Sequence, residues 1–114
     1  MKIAINDSIG DFSLSRKTLE CLGITDEKKL KRDFINPEDL GYARDEYENG
    51  VRKSEVLMRS DKRLIECLEK LGEEAYGKFT SKLKIIEIPD DVEVYIYKSE
   101  EGYESVHENH RVWS

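Results

Sequence analysis

Between Asp61 and Gly72 the chain reads DKRLIECLEKLG. Leu64, Ile65, Leu68 and Leu71 recur at helical spacing, Asp61 stands where a first turn needs a cap, and Gly72 where the last turn must stop. A short helix with so definite an apolar stripe holds its shape only when another layer covers that stripe. The rest of the chain must therefore supply a layer, and two stretches have the period of strands.

The first is MKIAIN, in which Met1, Ile3 and Ile5 alternate with Lys2, Ala4 and Asn6. The second runs KLKIIEIPDDVEVYIYKSEEGYESVHE from Lys82 to Glu108. Ile85, Ile86 and Ile88 suggest a strand covered on both faces for part of its length. Pro89 and two aspartates mark a turn. Val92, Val94 and Ile96 then face one way, while Glu93, Tyr95 and Tyr97 face the other. SEEG turns the chain into a last strand from Tyr103. A second helix, SLSRKTLECLG, has Ser15 as its cap, Leu14 placed to staple onto Leu19, and Gly23 at its end.

The expected architecture is α+β. A small antiparallel sheet, the N-terminal strand plus the C-terminal strands, is packed with two main helices, with Leu68 and Ile85 fully buried. With 114 residues the chain is read as one domain, 1–114. Residues 25–58 are read as a variable helical insertion decorating the core. Within it NPEDLGYARDEYENG reads as a surface helix, capped by Asn36, opened by Pro37 and closed by Gly50, and EVLM as a short strand. Hydrophobic residues are 38% and charged residues 39%, so a thin core, completed by a partner or a second copy, is the expectation.

The net charge of −6 sits in one place. From Glu87 to Glu108 eight acids stand against the single base Lys98, so that stretch carries −7 and the remainder +1. Such a surface repels phosphate backbones, and nucleic acid is not an expected partner of the hairpin. Its aromatic residues lie among acids rather than in a basic groove, a composition suited to protein contact or to the wall of a ligand pocket. The candidate binding residues are Glu93, Tyr95, Tyr97, Glu100, Glu101, Tyr103 and Glu104.

The closing stretch VHENHRVWS offers two readings. As a clasp, Trp113 packs against the sheet, Arg111 reaches an acid of the hairpin and His110 hydrogen-bonds within the fold. As a metal site, His107, Glu108 and His110 would converge. The spacing lacks the extra residue of the HExxH pattern, and strand alternation separates the two histidines, so no metal or cofactor is expected. NDSIGDFSLS, from strand through Gly10 to a helix start, could present N–H groups to an anion, but Asp7 and Asp11 oppose one, and a turn with an N-cap suffices. No nucleophile motif or dinucleotide fingerprint occurs, and no residue is assigned as catalytic. MKIAIND meets an acid at position seven and no run reaches membrane-span length, so the expected location is the cytosol. There Cys21 and Cys67 are expected as buried thiols.

The pieces MKIAIN…GDFSLS, RSDKRLIECLEKLGEEAYGKF, LKIIEIPDDVEVYIYKSEEGYESV and ENHRVW, taken in this order, resemble a family of small proteins encoded by tailed bacteriophages and prophages. The likeness covers both ends and somewhat more than half of the chain, with the middle the variable part. Family members often carry two glycines before the phenylalanine, where this chain has Gly10 and Asp11, and the histidine matching His110 is typical while one matching His107 need not be present. The resemblance carries over no activity. It implies a phage context and the host bacterial cytoplasm, where small acidic proteins serve as accessory factors. The expected function is a binding protein that sequesters or blocks a host component, either a host protein or a small signalling molecule. It would act against host defence as a protein inhibitor or as a sponge for a small signalling nucleotide. The alternatives are a metal-assisted hydrolase using the HENH stretch and a virion structural or morphogenesis factor.

Overall fold

A computed structural model describes residues 1–44, 47–48, 51–80, 82–108 and 111–113. The fold is α+β. In chain order the elements are β1 (Lys2–Asn6), α1 (Arg16–Cys21), α2 (Glu27–Leu30), a 3-10 turn at Pro37–Leu40, β2 (Tyr47–Glu48), β3 (Val51–Arg52), α3 (Lys53–Arg59), α4 (Lys62–Leu71), a 3-10 turn at Gly72–Ala75, β4 (Leu83–Glu87), β5 (Tyr95–Lys98), β6 (Glu104–Glu108) and β7 (Arg111–Trp113). β2, β3 and β7 are described by their backbone pairing.

The strands do not join into the one sheet expected. β1 pairs antiparallel with β4 alone, Ile3 opposite Ile86 and Ala4 opposite Ile85, whereas β5, β6 and β7 form a separate antiparallel sheet. The reason is that the β1–β4 ribbon has two apolar faces. Ile3, Ile5, Ile86 and Ile88 on one face pack with Val106 of the three-stranded sheet and with Val94, just before β5. Ala4 and Ile85 on the other pack with Leu64, Ile65 and Leu68 of α4 and Leu19 of α1. A ribbon with two such faces is most stable as a middle layer, between helices and a second sheet. Ile85 is nevertheless only partly buried rather than fully, because it lines a surface pocket with Tyr76 and Leu83, and Ile86 and Leu68 are the buried ones.

Both anticipated helices form with the expected ends. The Ser15 side chain accepts from Thr18 N–H at the start of α1, and Leu14 and Leu19 are both buried. Gly23 follows with φ +88°. Cys21 and Cys67 are not separate thiols, because α1 and α4 pack side by side and join them in a disulfide across a Cα–Cα distance of 6.0 Å. The middle segment, expected as decoration, sends Leu30, Ile35, Leu40 and Met58 into the helical core. The surface helix expected after Asn36 lasts one 3-10 turn: Gly41 takes φ +94°, and the chain continues into the β2–β3 hairpin. EVLM lies inside α3 rather than in a strand, because Ser54 and Met58, four residues apart, both face inward.

Asp61 does more than cap α4. Its carboxylate accepts from Arg63 N–H at 2.8 Å, from the Arg63 guanidinium at 2.9 and 3.0 Å, and from the Tyr42 hydroxyl at 2.6 Å. The Arg63 side chain, and then Tyr42, hold the carboxyl down at about 2 against the burial that pushes it up. The folded value lies below the ordinary carboxylate value of about 4. The stabilisation is therefore complete above pH about 4 and drains away as the pH falls towards about 2. Asp61→Ala should cost about 1–2 kcal/mol at neutral pH, the usual size of a lost cap. In urea melts across that acid window the variant should lose less stability than the parent, and an unchanged acid slope would remove Asp61 from the account.

Candidate functional site

The hairpin residues singled out from sequence divide between two faces of the three-stranded sheet. Alternation along β5 and β6 puts Tyr95, Tyr97, Ser105 and His107 on the outer face, opposite Ile96, Glu104 and Val106. His107 sits across from Tyr95 in the register, its ring 5.5 Å from that of Tyr95 and 5.3 Å from that of Tyr97. Such cross-strand ring pairs lock the face into a fixed aromatic surface. Ser105 Oγ lies 2.6 Å from His107 Nε2 and holds the imidazole in place. Tyr97 and Tyr103 are 54% and 44% exposed, so much of this aromatic surface meets solvent. Glu93, Glu100 and Glu101 are exposed in the segments entering and leaving β5.

Glu104 does not belong with them. It is buried on the inner face, where its two oxygens accept from Arg59 at 2.7 and 2.9 Å. Oε1 also accepts from the Asn6 N–H at 2.7 Å. Arg59 in turn donates to the Ala4 carbonyl at 3.2 Å, lies 2.9 Å from Glu55, and stacks 3.5 Å from the centre of the Phe12 ring. The pair fastens α3, β1 and β6 together at one point. Charge counting along the sequence could not find this, because it placed Glu104 with the other acids of the hairpin.

Asn6 completes the junction. Its amide donates to the carbonyls of Ser8, Gly10 and Gly102 at 2.9–3.0 Å, and its Oδ1 accepts from the Ser8 hydroxyl at 2.6 Å. The NDSIGDFSLS loop turns its N–H groups inward: Asp7 to Lys82 O, Gly10 to Glu101 O, Ser13 to Thr80 Oγ1, Leu14 to Asp33 O and Ser15 to Ala75 O. It is a turn that ties the two ends of the fold, as the simpler reading of its sequence has it.

Of the closing stretch, His110 lies outside the described residues. For Arg111 and Trp113 what is described is their strand pairing, opposite Glu108 and Val106. The expected clasp therefore falls outside the described side chains. His107 and Glu108, successive residues of β6, point to opposite faces. Among the described residues no three His, Cys, Asp or Glu side chains converge as metal ligands, and no helix is long and apolar enough to cross a membrane.

A cleft that sequence reading did not anticipate opens on the inner side of the sheet. It encloses about 630 Å³, has the Arg59–Glu104 pair among its lining, and is walled by Phe12, Phe34, Phe79 and Ile96, with Lys31, Arg32, Asp33, Lys98 and Asp11 among its polar groups. Lys98 is held by an ion pair to Asp11. The only sequence signal was a pair of phenylalanines in charged stretches, KRDF and GKFT, where no apolar period accounts for them.

No family model, curated protein or solved structure matches the chain.

Proposed function

We propose that the protein is a bacteriophage accessory factor that acts by binding, and that the outer face of β5–β6–β7 takes a basic surface of a host protein and blocks it. The phage context rests on the resemblance of the sequence pieces, and the binding mode rests on this face. The observation that carries it is the exposed aromatic cluster around His107, bordered by exposed carboxylates. Tyr95 and Tyr97, each packed on the His107 ring, and the exposed Tyr103 offer apolar anchors with little rotamer entropy left to lose. Glu93, Glu100 and Glu101 supply a field that draws in cations and discriminates against acidic competitors. On the inner side of the same sheet Val106 packs into the core and Glu104 pairs with Arg59, and the outer face is the one open to a protein surface.

The reading predicts a partner and its loss. Host lysate passed over the immobilised protein should yield a basic protein that is retained by the parent chain. A Tyr97→Ser, Tyr103→Ser double variant should release it, and because both positions are largely exposed its melting temperature should stay close to that of the parent. Retention of the same proteins by parent and variant would contradict the assignment, as would a strongly acidic partner.

A further inference from the structure

The cleft lies on the opposite side of the three-stranded sheet from the tyrosines, and two turns form its rim. The turn after α2 carries Lys31, Arg32 and Phe34, and the segment before β4 carries Phe79. Phe34 is 47% exposed and Phe79 54%. Two phenylalanine rings left open at one cavity contribute little to folding, because the apolar area they could bury remains in water. Open rings at a single cavity are instead the usual lining of a site for a flat ligand.

The charges of the cleft are unevenly committed. Arg59 is taken up by Glu104 and Glu55, and Lys98 by Asp11. Lys31 has no carboxylate partner among the described residues. The Arg32 guanidinium lies 5.6 Å over the Phe34 ring and reaches Asp39 only at 4.0 Å. Burial pushes the Asp39 carboxyl up, but the Asn36 N–H, Lys29 and Arg32 outweigh it and lower its pKa, so Asp39 stays charged with Lys29 3.0 Å away as its nearer cation. Lys31 and Arg32 are thus available to an anion next to an open aromatic ring.

We propose that this cleft binds a small planar aromatic ligand carrying an anionic group, with a nucleoside monophosphate the class that fits. The ring stacks on Phe34 or Phe79, and the phosphate meets Lys31 and Arg32. The volume of about 630 Å³ falls within the range of small-molecule sites and suits a single nucleotide. A nucleic-acid strand is disfavoured, because Asp11, Asp33, Glu55 and Glu104 also line the cleft and repel a run of phosphates. This site is independent of the tyrosine face, and either assignment can fail without the other.

The test is titration of the full chain, followed by amide chemical shifts, with AMP, GMP, CMP and UMP, with the corresponding nucleosides, and with inorganic phosphate alone. At least one nucleotide should bind with a dissociation constant below about 1 mM. Its nucleoside should bind at least about fivefold more weakly, reflecting the lost charge-assisted contacts. Phosphate alone should give no saturable shift at the cleft. Phe34→Ser and Phe79→Ser should each weaken nucleotide binding by about tenfold, the usual effect of removing a stacking ring. Lys31→Ala should reduce the preference for nucleotide over nucleoside. All three positions are exposed, so thermal melts of the variants should match the parent. The proposal is overturned if no nucleotide in the set saturates, or if saturation is unchanged in the Phe34→Ser, Phe79→Ser double variant.

Discussion

Replacing Glu104 by Ala should destabilise the protein by about 3 kcal/mol or more, the range in which removal of one member of a buried ion pair falls. Two groups lose their partner at once. The Arg59 guanidinium, 5% exposed, loses both of its short contacts, and the Asn6 N–H, on a residue with no exposure, loses its acceptor. Glu55 remains 2.9 Å from Arg59 Nε and limits the loss. Urea unfolding measures it directly. Glu100→Ala, in the same hairpin but exposed, should by contrast change stability by no more than about 0.5 kcal/mol. If the two variants melt alike, Glu104 is not buried in solution, and the division of the hairpin acids between two faces is wrong.

Gly102→Ala should be equally damaging for a steric reason. Gly102 has φ +104°, and an added Cβ would stand 1.8 Å from the Gly10 carbonyl oxygen and 2.6 Å from its carbon. The obstruction is backbone, held in place by the Asn6 amide and by Gly10 N–H donating to Glu101 O at 2.8 Å, so it cannot step aside. Relief requires breaking the junction between the β5–β6 turn and the loop after β1. We expect a fall in Tm of about 10 °C or more, corresponding to a few kcal/mol in a domain of this size. Gly23→Ala is the control. Its φ is +88°, but nothing stands within 4 Å of the new Cβ, so only local backbone strain of about 1 kcal/mol applies. Equal melts for the two variants would show that the close approach of Gly10 and Gly102 does not matter.

These residues also show where reading the sequence succeeds and where it stops. α4 was legible because its signals are local: Asp61 before, Gly72 after, and a stripe between them. β1 was legible as a strand, but its alternation gave only half of its environment, since Ala4 and Asn6 are buried as deeply as Ile3 and Ile5. A strand in a middle layer has no solvent face to pattern. Gly41 stands plainly in the sequence as a helix stop, but the pattern running on to Gly50 points to a longer helix than the 3-10 turn that forms. The Arg59–Glu104 pair joins residues 45 apart, and nothing local distinguishes those two charges from their neighbours. The same holds for the cleft, whose rims come from residues around 31–34 and 79 and meet only in the folded chain. For the tyrosine face, alternation alone placed Tyr95 and Tyr97 together, and register brought His107 between them.

The central claim is that the outer face of the C-terminal sheet recruits a basic partner. The most direct measurement is the association rate constant of that captured partner as a function of ionic strength. It should be made with the parent chain and with a Glu93→Lys, Glu100→Lys, Glu101→Lys variant that leaves Glu104 in place. Exposed charges are screened over about 10 Å at 0.1 M salt, so the parent rate should fall steeply as salt rises through that range. The reversed variant should start slower at low salt and lose or invert that dependence, with its melting temperature unchanged. A parent rate indifferent to salt, or a variant that associates as fast as the parent, would contradict the account.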